Sequence, residues 1–391
     1  MISLEEAQAR LFTLGELLPV ETVAVQHASG RWAAADVIAT RTQPACDLSA
    51  MDGYAIAHAA LPGPWNVIGE SAAGAPFRGT LASGEAVRIF TGAAIPDGAN
   101  CDVIQEDITR HQDMISIIPS LVVSEAQHVR AAGSDFLSGT VLITKGSYLT
   151  PARIGLAVIG GHGHIDVRRR VSVAIISTGD ELVPPGADAG TDRLPSSNAV
   201  MLAAMLRGLP CDVQDLGIIP DDLDQLTRAI QNADADIIVT SGGASVGDHD
   251  LVRPALLAAG ASIDFWKIAM RPGKPLMAGK LGKRVCLGLP GNPVSAYVTA
   301  LLFLMPLIKM MSGASEPLPR RKVGILSGAL PATGPRTDHI RAKRTGAHVQ
   351  PTGPNDSAAM AGLANADALI VRLSDSPPAQ SGDQIKYIDL A

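Results

Sequence analysis

From Val171 to Met311 the chain alternates continuous apolar runs with amphipathic stretches, and this alternation limits its fold more than any other feature. The runs VSVAIIS (171–177), DVQDLGI (212–218), ADIIVTS (235–241) and VCLGL (285–289) predict strands. The first, third and last are apolar at consecutive positions, as in strands buried on both faces. Helical periodicity separates them at 198–207, 222–232, 251–259 and 293–311; in the second of these, Leu223, Leu226 and Ile230 share one face. Strand, helix, strand in turn predicts an open, mostly parallel α/β sheet covered on both sides by helices.

The flanking sequence reads differently. Residues 45–132 carry short alternating segments at 65–70, 85–90, 101–106 and 114–118, divided by Gly, Pro, Asn and Asp, which predicts a small β-rich domain inserted in a larger one. After Met311, SGASEPLPR reads as a linker, and short strands at 322–326, 339–343, 347–350, 369–373 and 384–388 predict a C-terminal β-barrel or sandwich. At roughly 150 residues per domain, the 391 residues accommodate several such units.

Composition narrows the classes of function. With 47% hydrophobic and 18% charged residues, each unit can bury a core, so disorder is excluded. The net charge of −6 denies the chain the basic surface that nucleic acid requires. Cys46, Cys101, Cys211 and Cys286 are widely spaced with no CxxC pair, which disfavours disulfides and structural zinc and suits a cytoplasmic protein. The opening MISLEEAQARL shows a capping box, Ser3 with Glu6, and no signal peptide. The most apolar stretch, 294–308, is interrupted by Ser295, Thr299 and Pro306 and falls short of the roughly 20 residues that span a bilayer, so no membrane association is expected.

In an open α/β sheet, ligands bind beyond the carboxyl ends of the strands, so the residues that follow each strand carry the functional signal. These are STGDEL (177–182), SGGASVGDHD (241–250) and LPGNP (289–293). In the last, Gly291, the N-cap residue Asn292 and Pro293 at the first helical position aim a helix N-terminus, with its free N–H groups, at the crevice. Ser241, Gly242, Gly243, Ser245 and Gly247 can cradle a phosphate in a nest of backbone amides. Each loop taken alone reads equally well as a tight turn. Asp180, Glu181, Asp221, Asp248 and Asp250 are expected along the same edge, where converging acids call for a cation. An oxygen-only donor set suits Mg²⁺ rather than zinc or iron, although Asp221 and Asp248 can also simply cap helices. FWKIAMRPGKP (265–275) sets Lys267, Arg271 and Lys274 around a Pro-Gly turn suited to an oxyanion. SAMDGY (49–54) reads first as a structural turn, His162-Gly163-His164 as a structural pair, and Arg168–Arg170 as a solvated face. No GxSxG, Cys–His or Walker-type signature is present.

Taken in order, SAMDGY, TGAAIPDGAN, STGDEL, SGGASVGDHD, MRPGKP and LPGNPVSA resemble the molybdopterin molybdenumtransferase family, bacterial MoeA and the E domain of gephyrin, over nearly the whole chain. The resemblance implies an elongated homodimer of four domains. These would be a discontinuous linking domain (1–44 and 133–168), the β-rich insertion (45–132), the α/β molybdopterin-binding domain (169–312) and the C-terminal barrel (313–391). It also implies the reaction: adenylylated molybdopterin and molybdate give molybdenum cofactor and AMP, with Mg²⁺ required. Matched position by position, it puts functional roles on Asp52, Thr91, Asp135, Glu181, Asp221, Asp250, Lys267, Arg271, Lys274, Pro290 and Pro293. Glu181, Asp221 and Asp250 would hold Mg²⁺, in a cleft shared between the α/β domain of one subunit and the N-terminal domains of the other. The adenylyltransferase of the preceding step and the apoenzymes that receive the cofactor would be transient partners. Arg271 stands where the family often has lysine, keeping the charge but changing a compact ammonium into a fork, and Ala244 stands where valine is frequent. The rival readings are a molybdopterin adenylyltransferase, which lacks the N- and C-terminal additions, and a gephyrin-like scaffold. Molybdate and tungstate are not distinguished.

Overall fold

The computed structural model describes residues 1–242, 251–353, 356 and 358–390. At its centre is a six-stranded sheet in the order Cys211–Ile219, Val171–Thr178, Ile237–Ser241, Arg284–Leu289, Met277–Leu281, Ser262–Trp266. The first four strands run parallel, as the alternation predicts. Met277–Leu281 pairs antiparallel with its neighbours on both sides, and neither it nor Ser262–Trp266 was expected from the sequence. Ser262–Trp266 has the burial pattern of an exposed edge, and Met277–Leu281 carries a central Gly-Lys, so neither shows the continuous apolar run of a buried parallel strand.

Side-chain alternation along the central strands divides the core in two. Val171, Val173 and Ile175 face one cluster with Ile237, Val239, Val285, Leu287 and the helical segment 293–311. Ala174, Ile176, Ile238 and Cys286 face the other, with Leu226 and Ile230 of Leu223–Asn232 and with Val252 and Leu256. Asp222 caps the helix Leu223–Asn232, accepting from the Gln225 N–H at 2.8 Å. Ser3 caps Leu4–Leu14 in the same way, at 3.0 Å from the Glu6 N–H.

The helical segment Pro293–Met311 has the extent that the periodicity predicts, 19 residues, and by length and composition alone it is enough to cross a membrane. Its most apolar window is 72% buried inside the protein, so it serves as the core helix of the α/β unit. The Arg run is solvated as expected at Arg169 and Arg170, and it also makes directed bonds. Arg168 donates to the Leu18 carbonyl at 2.7 Å, Arg169 grips Asp236 with two bonds of 2.7 Å, and Arg170 pairs with Asp212. The run thus latches the sheet to its surroundings while Arg169 and Arg170 keep a solvated face.

In the N-terminal half a second six-stranded sheet runs Cys101–Ile104, Gly53–Ile56, Glu85–Ile89, Trp65–Ser71, Met114–Ile117, Ile108–His111 around a fully buried Trp65. Of these, Gly53–Ile56 and Ile108–His111 were not foreseen. On either side of this sheet the chain returns on itself: Val20–Ala24 pairs with His164–Arg168, and Val37–Ile38 with Val141–Ile143. His162 Nε2 bonds the Ile38 carbonyl at 2.7 Å, in keeping with its structural reading.

The C-terminal strands Thr337–Thr345, His348–Pro351, Lys322–Leu326, Gln384–Asp389 and Ala368–Arg372 close into a barrel through the pairing of the first with the last. All four cysteines are free, with Cys46 alone exposed.

Asp236 is the polar knot of the central sheet. It takes the two Arg169 bonds together with the Ser172 N–H at 2.9 Å and hydroxyl at 2.8 Å. Burial opposes its charge, but Arg169 and Ser172 together hold its pKa below the usual carboxylate value. Asp236→Ala removes the acceptor shared by Arg169 and the Ser172 N–H and hydroxyl, so the urea midpoint should fall by the equivalent of about 1–3 kcal/mol. An unchanged midpoint would show that the pair does not hold the sheet.

Candidate active site

The carboxyl ends of the parallel strands open on a cavity of about 850 Å³. Each of the three loops singled out in the sequence contributes to its wall: Ser177 and Glu181, then Ser241 and Gly242, then Pro290, Gly291, Asn292 and Pro293. Arg271 and Lys274 of the Pro-Gly turn line it as well. Thus nine of the expected site residues (Glu181, Ser241, Gly242, Arg271, Lys274, Pro290, Gly291, Asn292 and Pro293) share one wall.

Local chemistry explains how the loops are held. Gly242 has φ of 106°, and a Cβ there would stand 2.3 Å from the Thr178 carbonyl oxygen, so only glycine lets these two strand ends approach. The Asn198 amide donates to Ser241 Oγ at 2.8 Å and to the Gly291 carbonyl at 2.7 Å, tying the second loop to the third. Asn292 has the extended backbone of an N-cap, with Pro293 following it, and its side chain makes no capping bond to the helix. The helix N-terminus therefore opens on the cavity, as expected.

The acids are arranged less simply. Glu181 lies on the wall. Asp180 accepts from the Asp221 N–H at 3.1 Å, and Asp221 accepts from the Thr178 hydroxyl at 2.8 Å. Asp221 therefore braces the STGDEL loop; the helix after it is capped by Asp222 instead. Among the described residues no group of three or more His, Cys, Asp or Glu is placed to hold a metal ion. Gly243, Ser245, Gly247, Asp248 and Asp250 lie outside the described residues.

Lys267 is off the cavity wall. Its Nζ stands 4.5 Å from the Trp266 ring, a cation–π contact, and Arg253 stands 5.4 Å from the same ring. Its backbone is left-handed, with φ of 78°.

Asp52, Thr91 and Asp135 do not line this cavity within one chain. The first two do meet: Asp52 accepts from the Thr91 N–H at 2.8 Å and from its hydroxyl at 2.9 Å, and these bonds hold the Asp52 carboxyl below its usual pKa. Asp135 is exposed, and its N–H donates to the Gln43 carbonyl at 3.1 Å.

The wall also includes residues the sequence reading passed over. Asn198 is one; Arg336, His339 and Arg341, from the C-terminal barrel, are the others of note. A signal for them exists in TDHIRAKRT (337–345), where polar residues alternate with Ile340 and Ala342. Ile340 and Ala342 fill the barrel core, while Thr337, His339 and Arg341 are buried on the opposite side of the strand. A smaller cavity of about 390 Å³ shares Arg271 and Arg336 with the first.

The family models fall on the chain in the same order as these structural units. The MoeA N-terminal region (domain I and II) matches residues 2–161, a probable molybdopterin binding domain matches 174–310, and the MoeA C-terminal region (domain IV) matches 323–390. A molybdopterin molybdenumtransferase of Haemophilus influenzae is 37% identical over 81% of this chain and 79% of its own length. One from Staphylococcus aureus is 31% identical over 99% of this chain and 95% of its own. The chain belongs to the molybdopterin molybdenumtransferase family. It is thereby a transferase. Among solved structures, the molybdopterin biosynthesis MoeA protein of Pyrococcus horikoshii superposes with a TM-score of 0.83 at 27% identity, covering 100% of this chain and 99% of that one. The expected multidomain architecture, an α/β sheet with β-rich additions and a C-terminal barrel, is that of this transferase family.

Against the turn SAMDGY lies a buried acid with a measurable consequence. A Cβ at Gly53 would stand 2.1 Å from the Val103 carbonyl oxygen and 2.3 Å from Asp102 Oδ1, so the turn is packed directly against Asp102. The Asp102 carboxyl is buried and accepts from the Ser49 hydroxyl; burial pushes its pKa up to about 6. An acid that keeps its proton longer in the folded state loses stability as pH rises from its unfolded value through its folded one. Asp102→Asn should therefore match the parent near pH 4 and melt higher above about pH 6, by the order of 2 kcal/mol. A difference in thermal midpoint that is the same at every pH would contradict this.

Proposed function

We propose that the chain inserts molybdate into adenylylated molybdopterin with release of AMP, in a Mg²⁺-dependent reaction of molybdenum cofactor biosynthesis. The observation that supports this reading best is the cavity itself, whose backbone-rich wall of strand-end loops faces a basic wall from the C-terminal barrel. Backbone N–H groups at Ser241, Gly242, Gly291 and Asn292 suit phosphate, and Arg271, Lys274, Arg336 and Arg341 suit oxyanions. A volume of about 850 Å³ accommodates a nucleotide joined to a second ring system.

The donor chemistry fits Mg²⁺. Glu181 supplies a carboxylate at the wall, and a hard ion that takes one or two carboxylates completes its shell with substrate phosphate and water instead of a protein cage. Glu181 and Asp250 would hold the ion, with Asp221 bracing the loop that carries Glu181. When bound, it supplies Lewis-acid stabilisation of charge on the phosphoryl oxygens. The protein's own part is positioning: the Asn198 bridge fixes two phosphate-facing loops relative to each other, and the barrel supplies a facing wall.

The domain limits proposed are 1–44 with 133–168, 45–132, 169–312 and 313–391. We further propose a cytoplasmic homodimer in which Asp52, Thr91 and Asp135 of one subunit complete the cavity of the other, since none of the three reaches the cavity of its own chain.

Incubation with adenylylated molybdopterin, Mg²⁺ and molybdate should release AMP. Glu181→Ala and Asp250→Ala should each lower that release by at least about a hundredfold without shifting the thermal midpoint. Release by both variants at the parental rate would remove these two residues from the metal site, and release of none by the parent would remove the reaction.

A further inference from the structure

His339 is 2% exposed, yet it stands on the wall of the large cavity. Among the described residues neither ring nitrogen reaches a hydrogen bond of normal geometry. The Arg271 backbone lies near enough to favour the protonated ring, but burial, with Arg321 nearby, outweighs it and pulls the imidazole down to about 4. The ring is therefore neutral at physiological pH, one nitrogen a donor and the other an acceptor. A buried polar group left unsatisfied loses its hydration without recompense, a cost that a fold seldom carries without a use.

The surroundings indicate what would satisfy it. Arg271, Lys274, Arg336 and Arg341 line the same cavity. Arg341, two residues along the strand on the same side, is 3% exposed and donates to the Ala359 carbonyl at 2.6 Å. These groups give the region its positive charge. A neutral imidazole adds no further repulsion and supplies one directed N–H, which a flexible lysine or a surface water does not.

We propose that His339 is a substrate-contacting residue whose ring N–H donates to a tetrahedral oxyanion held in this cavity, either molybdate itself or a phosphate of the nucleotide-bearing substrate. The proposal rests on the reading under Proposed function and adds a residue to it.

The test uses the full chain with two probes, molybdate and AMP. Equilibrium binding of each is measured for the parent, His339→Phe and His339→Gln, and ring-¹⁵N shifts of the parent histidines are followed on addition of either probe. His339→Phe should weaken one probe roughly tenfold or more, while His339→Gln, which keeps a donor, should recover most of it. Loss confined to molybdate assigns the contact to the metal oxyanion, and loss confined to AMP assigns it to the phosphate. In the parent, the His339 ring nitrogens should shift with that same probe, a change that a purely structural histidine would not show and that does not depend on any variant folding. Binding by the parent with no shift of the ring nitrogens overturns the proposal alone. Equal affinity of a folded His339→Phe for both probes does the same. Absence of binding by the parent overturns the functional reading and this proposal together.

Discussion

The site depends on the pairing of Met270–Arg271 with Thr337–Asp338, a short parallel ladder that ties the α/β unit to the C-terminal barrel. Its geometry is reinforced by the Thr337 N–H donating to the Ala269 carbonyl at 3.0 Å. An open parallel sheet offers only a crevice beyond its strand ends. Here the barrel strand is held across that crevice, and the crevice becomes a walled cavity. The ladder is too short to do this alone. Leu363, Leu369, Val371 and Ile388 of the C-terminal part belong to the same buried cluster as Val173, Leu287 and Phe303, so the docking is continuous with the main core and is driven by burial of apolar surface.

That arrangement also resolves an apparent conflict of charge. The protein is acidic overall, at −6, while the cavity is lined by four cationic side chains, Arg271, Lys274, Arg336 and Arg341. Two of them come from the turn after Met270 and two from the barrel, so the positive region exists only when both walls are in place. Charge gathered in a partly enclosed space acts through less screening than the same charge spread over a surface. An anionic ligand is thus drawn to one place on a molecule that otherwise repels it.

Much of this was legible in the sequence where burial writes a periodic pattern. The four parallel strands and their helices follow from apolar runs and 3.6-residue spacing, and the strand-end loops from Gly, Pro and Asn at positions that need them. The last two strands of the sheet were not legible, because a half-exposed strand such as Ser262–Trp266 lacks a continuous apolar run. The site was legible on one side only. Glu181, Gly242 and Pro290 to Pro293 belong to recognisable local motifs, whereas Arg336, His339 and Arg341 take their meaning from a docking contact between segments far apart in the chain. The solvated face of Arg168–Arg170 was legible, but its ion pairs were not, since Asp236 and Asp212 become partners only after folding. Asp52, Thr91 and Asp135 came from family resemblance, and the single chain gives two of them a mutual hydrogen bond without bringing any of them to the cavity.

The central claim is that one ligand is gripped by both walls at once. Hydrogen exchange on the full chain, with and without adenylylated molybdopterin, tests it directly. Simultaneous protection of the LPGNP loop at 289–293 and of the barrel strand Thr337–Thr345 is the predicted result. Protection confined to the α/β loops, with the barrel strand exchanging as in the free protein, would contradict it.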